Sequence, residues 1–211
     1  MSLPRPRLQT LIVEVTQRCN HACQHCYNVW HGENPASPAY PQGELDTTGM
    51  LRLLGKALDE TRCTHVTLTG GEPLLREDLP ELVDFLRQRG VRTTIISNGH
   101  LLDAARIADL TQRGVGLFEL PLLSHSAALH DQLAEAPGAW QAVVRAMTNI
   151  RRQHGQFVAA FVATRLNLEH LAETIRLAFA LGARAFMLNR FNPGGRGRQY
   201  LDMLLPSAGE L

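Results

Sequence analysis

Lysine is almost absent from this chain. Lys56 is the only one, so arginine carries nearly all the positive charge, which reads as genomic bias. An excess of either sign is missing too: 21 Lys and Arg face 20 Asp and Glu, a formal net charge of +1. That near-balance argues against a nucleic-acid wrapper or an acidic tail, while leaving room for a local basic patch. No apolar run approaches the roughly 18 residues of a membrane span. Met1 to Arg7 holds arginines and prolines with no apolar signal-peptide core behind them. The expectation is a soluble, cytoplasmic protein whose partners are neither nucleic acid nor membrane. What is present is bulk. With 211 residues, 45% hydrophobic and 19% charged, the chain can bury one good-sized core, which rules out wholesale disorder.

Cysteine is scarce and unevenly placed. Cys19, Cys23 and Cys26 form a C-x3-C-x2-C run, and Cys63 stands apart. A disulfide framework spreads its cysteines along a short secreted chain, whereas clustered thiols in a reducing compartment more often hold metal. Two metals are open at this point. Structural zinc wants four ligands at about 2.0–2.3 Å, and His21 or His25 would supply the fourth only by straining the loop between two cysteines. A cubane iron–sulfur cluster normally takes four thiolates, so three leave one iron free to bind something else. The odd number favours the cluster. Cys63 reads as a small buried hydrophobe. The nine histidines share no ligand-like spacing.

A strand-and-helix unit repeats along the chain. Leu79, Leu82, Val83 and Leu86 recur at helical spacing up to Gly90, with Asp78 as the expected N-cap and Pro80 in the first turn. Val91–Ile96 follows, rich in β-branched residues. The pattern recurs as helix 102–113 with strand Leu117–Leu120, helix Trp140–Met147 with strand Phe157–Ala163, and helix Leu171–Phe179 with strand Ala185–Leu188. Glycines at 90, 114, 155 and 182 are expected to supply left-handed C′ residues. Upstream, Leu11–Val15 and His65–Thr69 read as strands around a helix bearing Leu51, Leu54 and Leu58. Six strands alternating with helices predict an α/β fold with a parallel sheet. The polar residues that follow each strand lie at carboxyl ends around one rim, which favours a partial (β/α)6 barrel of parallel strands over an open doubly wound sheet.

The cysteine loop directly follows the first strand, and Gly70-Gly71-Glu72-Pro73 follows the second. In this arrangement the sequence resembles the radical S-adenosylmethionine (SAM) superfamily, whose hallmark is C-x3-C-x-aromatic-C followed by a GGEP-like turn. His25 stands in the aromatic slot, with Tyr27 after the last cysteine. The resemblance implies that Cys19, Cys23 and Cys26 hold a [4Fe-4S] cluster and that its fourth iron is chelated by SAM. It further implies that backbone carbonyls at Gly70 and Gly71, with the neighbouring Glu72, receive the methionine ammonium, and that Pro73 belongs to the same cofactor-binding turn. Ser97 and Asn98 would face the ribose or carboxylate. Arg165 would neutralise that carboxylate, and the main chain near His25 and Asn189 would border the adenine. Ser124 stands where many relatives carry an aspartate, and it completes the cofactor-facing set. One electron would then cleave SAM to methionine and a 5′-deoxyadenosyl radical that takes hydrogen from a peptide or small metabolite. An electron donor such as flavodoxin or ferredoxin is expected.

Residues 1–10 read as a lead-in, 11–192 as the core, and 193–211 as an exit segment resembling that of the SPASM/twitch subgroup. Ser207 and Glu210 match a capping box, so the chain reads as cut short where a helix begins. An open barrel would then expose strand edges and invite a partner or a second copy. Two other functions compete. One is a non-catalytic homologue that binds peptide, and the other is a zinc-stabilised structural domain.

Overall fold

Each of the six apolar runs forms a strand in the computed structural model, which describes residues 8–28 and 43–209. The strands are β1 (Thr10–Thr16), β2 (His65–Gly70), β3 (Arg92–Ile96), β4 (Val115–Pro121), β5 (Phe157–Ala163) and β6 (Ala185–Arg190). They pair in parallel in the order β1-β2-β3-β4-β5-β6. Chain order preserved across a parallel sheet is barrel connectivity, since doubly wound sheets reverse direction part-way across. The fold is therefore the expected open, six-stranded partial barrel.

The helices are α1 (Thr47–Thr61), α2 (Leu79–Gln88), α3 (Ala104–Arg113), α4 (Ala127–Ala134), α5 (Ala139–Arg152), α6 (Leu171–Leu181) and α7 (Leu201–Leu204). One core joins Leu54, Leu82, Leu86, Ile107, Leu110, Val143 and Met147 to Val66, Leu68, Ile95, Phe118, Leu120 and Phe157. The alternate strand positions point to the other face, where Ile12 is 70% exposed. With helices covering one side only, the carboxyl ends of the strands share a single rim.

Several local expectations need correction. Gly114 and Gly182 close α3 and α6 in the left-handed region. After α5, however, His154 takes that conformation (φ 57°) and Gly155 does not. A Cβ on Gly155 would lie 2.9 Å from the Ile150 side chain, so this glycine is required for packing. Asp78 makes no cap hydrogen bond to α2; its carboxylate receives Arg76 Nε at 2.8 Å instead. Helix α4 was not expected, because its apolar face is short and weakly periodic. In the exit segment, α7 is an unexpected turn of helix ahead of Ser207, and Glu210 of the capping box lies outside the described residues. Among the described residues no helix is long and apolar enough to cross a membrane.

Candidate functional site

The cysteine loop is braced where it leaves β1. A register shift between Glu14 and Thr16 lets Thr16 pair with Gly70. The Gly71 N–H donates to the Thr16 carbonyl at 2.8 Å, and the Glu72 N–H to the Arg18 carbonyl at 2.7 Å. A Cβ on Gly70 would strike the Thr16 carbonyl, and one on Gly71 the Arg18 carbonyl. Gly70 also sits at φ 142°, where L side chains rarely go. The two glycines thus let one backbone lie directly against another. They fasten the turn after β2 to the root of the cysteine loop.

Glu72 ties this turn to the next one. Its side chain is fully buried. Oε1 accepts from Leu74 N at 3.1 Å and Ser97 Oγ at 2.9 Å, and Oε2 accepts from Asn98 N at 2.8 Å. Burial raises its pKa, and these hydrogen bonds oppose the rise. Ser97 also accepts from Gly99 N at 3.0 Å, so its hydroxyl is committed within the protein. Asn98 reaches the cysteine loop: its Nδ2 donates to Asn20 Oδ1 at 2.7 Å and lies 4.0 Å from Cys19 Sγ. The loops after β1, β2 and β3 therefore form one hydrogen-bonded body.

All three clustered cysteines are free and half-buried, and Cys63 is free and buried. Burial pushes all three clustered thiols up. At Cys23 the neighbouring Cys26 and Cys19 push it further, and Cys26 does the same at Cys19. Such thiols stay protonated until a cation displaces the protons, so metal uptake should rise with pH. Among the described residues no three His, Cys, Asp or Glu side chains converge as a single ion would require. Three thiols on one loop, with no fourth ligand beside them among the described residues, fit a cubane better than tetrahedral zinc. His21 Nε2 lies 3.4 Å from His100 Nδ1. His25 meets the Leu133 carbonyl, and burial lowers its pKa to about 4. Its Nδ1 is buried without a protein partner.

The remaining candidates lie around the same rim but differ in what they touch. Tyr27 is 58% exposed, while Pro73 is buried. Ser124, wholly buried, lies 2.8 Å from His170 Nδ1 and accepts from Ser126 N at 2.9 Å. Arg165 Nη1 donates to the Asp202 carbonyl at 2.8 Å, which turns it toward α7. Asn167 is buried and donates to the Leu123 and Val162 carbonyls, tying the loop after β4 to β5. Asn189, half-buried on β6, stands in register with Val162.

Two arginines escaped the sequence reading. Arg76, 7% exposed, donates through Nη1 to the Val15 carbonyl at 2.8 Å and the Leu45 carbonyl at 3.0 Å while pairing with Asp78. It pins the end of β1, and its signal was a charge closing the apolar run after the GGEP turn. Arg196, in the exit segment, lies within electrostatic reach of Cys23 and Cys26. Its signal was the glycine on either side of it.

Residues 13–178 match the family model of the radical SAM superfamily. The chain belongs to that superfamily. Among curated relatives of this radical SAM chain, it is 31% identical over 211 residues to the PqqA peptide cyclase of Gluconobacter oxydans, covering 100% of this chain and 57% of the relative. It is 30% identical over 205 residues to the AdoMet-dependent heme synthase of Oleidesulfovibrio alaskensis, covering 94% and 51%. It thus spans about half the length of the curated relatives it matches. Among solved structures, Streptococcus suis SuiB bound to S-adenosylmethionine superposes with a TM-score of 0.74 at 16% identity, covering 88% of this chain and 41% of that one. Native anSMEcpe with bound AdoMet and the Cp18Cys peptide gives 0.70 at 18%, covering 88% and 51%. At such identities these neighbours speak to fold alone.

Proposed function

We propose that this chain is the core of a radical SAM enzyme that uses a [4Fe-4S] cluster and S-adenosylmethionine to take hydrogen from a peptide substrate. The observation that carries this reading is the bracing of the three-cysteine loop by Gly71, Glu72 and Asn98, in a chain of this superfamily. Cys19, Cys23 and Cys26 would hold the cluster, which when bound supplies the electron that splits the sulfonium of SAM. The Gly70 and Gly71 main chain would receive the ammonium of SAM, since a cation in a dry pocket needs acceptors around it. Glu72 and Ser97, both spent on internal hydrogen bonds, hold that main chain in place. Asn98 sets the position of Cys19 and Asn20. Arg165, facing Asp202, orients the exit helix. The peptide choice is supported by a relative named as a peptide cyclase and by a fold neighbour solved with a peptide bound.

Anaerobic loading with iron and sulfide, followed by dithionite and SAM, should release 5′-deoxyadenosine. A fully loaded, intact cluster that releases none would sink the enzyme reading. Peptide binding that survives loss of all three cysteines, without any turnover, would replace it with the binding-module reading.

A further inference from the structure

The segment after β6 is fastened to the cysteine loop. Its 3₁₀ turn, Gly195–Tyr200, donates from Gly197 N to the Cys26 carbonyl at 3.0 Å. A Cβ on Gly194 would lie 3.1 Å from the Tyr27 carbonyl, and one on Gly195, at φ 48°, would strike the Asn28 carbonyl. Glycine is what permits this approach. Arg196 therefore arrives beside the loop on a backbone with little freedom.

Its guanidinium is held from three directions. Glu135 accepts from Nη2, the Tyr200 hydroxyl lies 3.0 Å from Nη2, and that hydroxyl donates to Glu135 Oε1 at 2.6 Å. The guanidinium carbon also sits 5.6 Å from the centre of the Tyr200 ring. Glu135 is the left-handed cap of α4, at φ 45°, a conformation uncommon for a side chain of its kind. The Arg196 and Glu135 side chains are 22% and 29% exposed. An ion pair between partly exposed side chains adds little to stability, so stability does not account for three holds on one cation. What the holds achieve is aim. Arg196 is the residue next to Gly197, whose N–H is bonded to the Cys26 carbonyl, so its charge is anchored beside the thiol loop.

We propose that Arg196 is a positioning residue for the electron-transfer step: held by Glu135 and Tyr200, it stabilises the reduced cluster on Cys19, Cys23 and Cys26 and so raises the cluster's reduction potential. This rests on the cluster reading above. Reduction adds one electron from an external low-potential donor and breaks no bond. Three thiolates on a cube of charge +2 sum to −1, and the added electron takes this to −2. A fixed neighbouring cation favours the second state over the first.

The test compares wild type, Arg196→Gln and Arg196→Lys after anaerobic reconstitution. Iron and sulfide content are measured first, and then an EPR-monitored dithionite titration gives the midpoint potential. Arg196→Gln should load as wild type does, with the reduction equilibrium shifted at least tenfold toward the oxidised form, which is 59 mV for one electron. Arg196→Lys should keep most of the wild-type value. Should the Gln variant fail to fold, Arg196→Met, which keeps an aliphatic stem against Tyr200, carries the same expectation. An unchanged potential in a loaded neutral variant overturns the proposal, as does a Lys variant shifted as far as Gln. Failure of the wild type itself to take up iron and sulfide overturns the cluster reading instead.

Discussion

Glu72 shows how one buried carboxylate can tie three loops together. Both of its oxygens are occupied by donors from its own turn and from the loop after β3. Glu72→Gln keeps the volume but aims an amide N–H2 at a donor, leaving a buried group unsatisfied. We expect a loss of about 1–3 kcal/mol in urea unfolding. His130 makes a prediction about pH. Its ring is 2% exposed, and Nδ1 accepts from Leu123 N at 3.2 Å, so the neutral form is the one that fits. Burial lowers its pKa from 6.5 to about 4, with His25 and His21 acting in the same direction and Asp131 against it. Between those two values the unfolded chain binds a proton that the native ring refuses, so stability falls as pH drops from 6.5 to 4. The share of this one group is at most on the order of 3 kcal/mol. His130→Asn should flatten that part of the apoprotein's stability-against-pH curve; an unaltered slope would remove His130 as its source.

At the scale of elements, the glycines sort by what stands opposite them. Gly70→Ala and Gly71→Ala drive a Cβ into the backbone of Thr16 and Arg18, which cannot step aside without breaking the β1–β2 register. Each should cost at least about 1–3 kcal/mol and lower iron uptake as well, because the cysteine loop hangs from that contact. Gly90→Ala is the control: its φ is 70° but nothing lies within 4 Å, so only the left-handed penalty of about 1–2 kcal/mol applies, with uptake unchanged. After α5 the sign reverses. His154→Gly relieves a side chain at φ 57° and should raise the melting temperature, by an amount equivalent to about 0.5–1 kcal/mol. These contrasts were half legible beforehand. Helical periodicity marked α2, α3, α5 and α6 well, because an amphipathic stripe is a local property. It could not show that the glycine pair of the GGEP turn meets a backbone more than fifty positions earlier in the chain.

Across the whole molecule, burial falls from the middle of the sheet to its edges. Four consecutive residues of β2 are buried, whereas β6 has none buried, and Leu188 there is 57% exposed. Strand β1 is shielded only at its last two residues. In native-state hydrogen exchange the amides of β3 and β4 should open only with global unfolding, and those of β6 should exchange by local opening at lower free energy. Uniform protection from β1 to β6 would show that the edges are covered in solution.

The sequence by itself determined the order of the six strands and of most of the helices between them, the parallel sheet and the placement of three thiols after the first strand. Each of these follows from a pattern within a few residues: alternation, helical spacing, or cysteine count. The tertiary structure decided which groups remain available at the rim. It turned Ser97 and Glu72 inward, sent Arg165 toward α7, and brought Arg196 from the far end of the chain to Cys26. Such outcomes depend on how distant backbones close on one another and on which polar groups burial forces to find partners inside. Neither can be read from local composition.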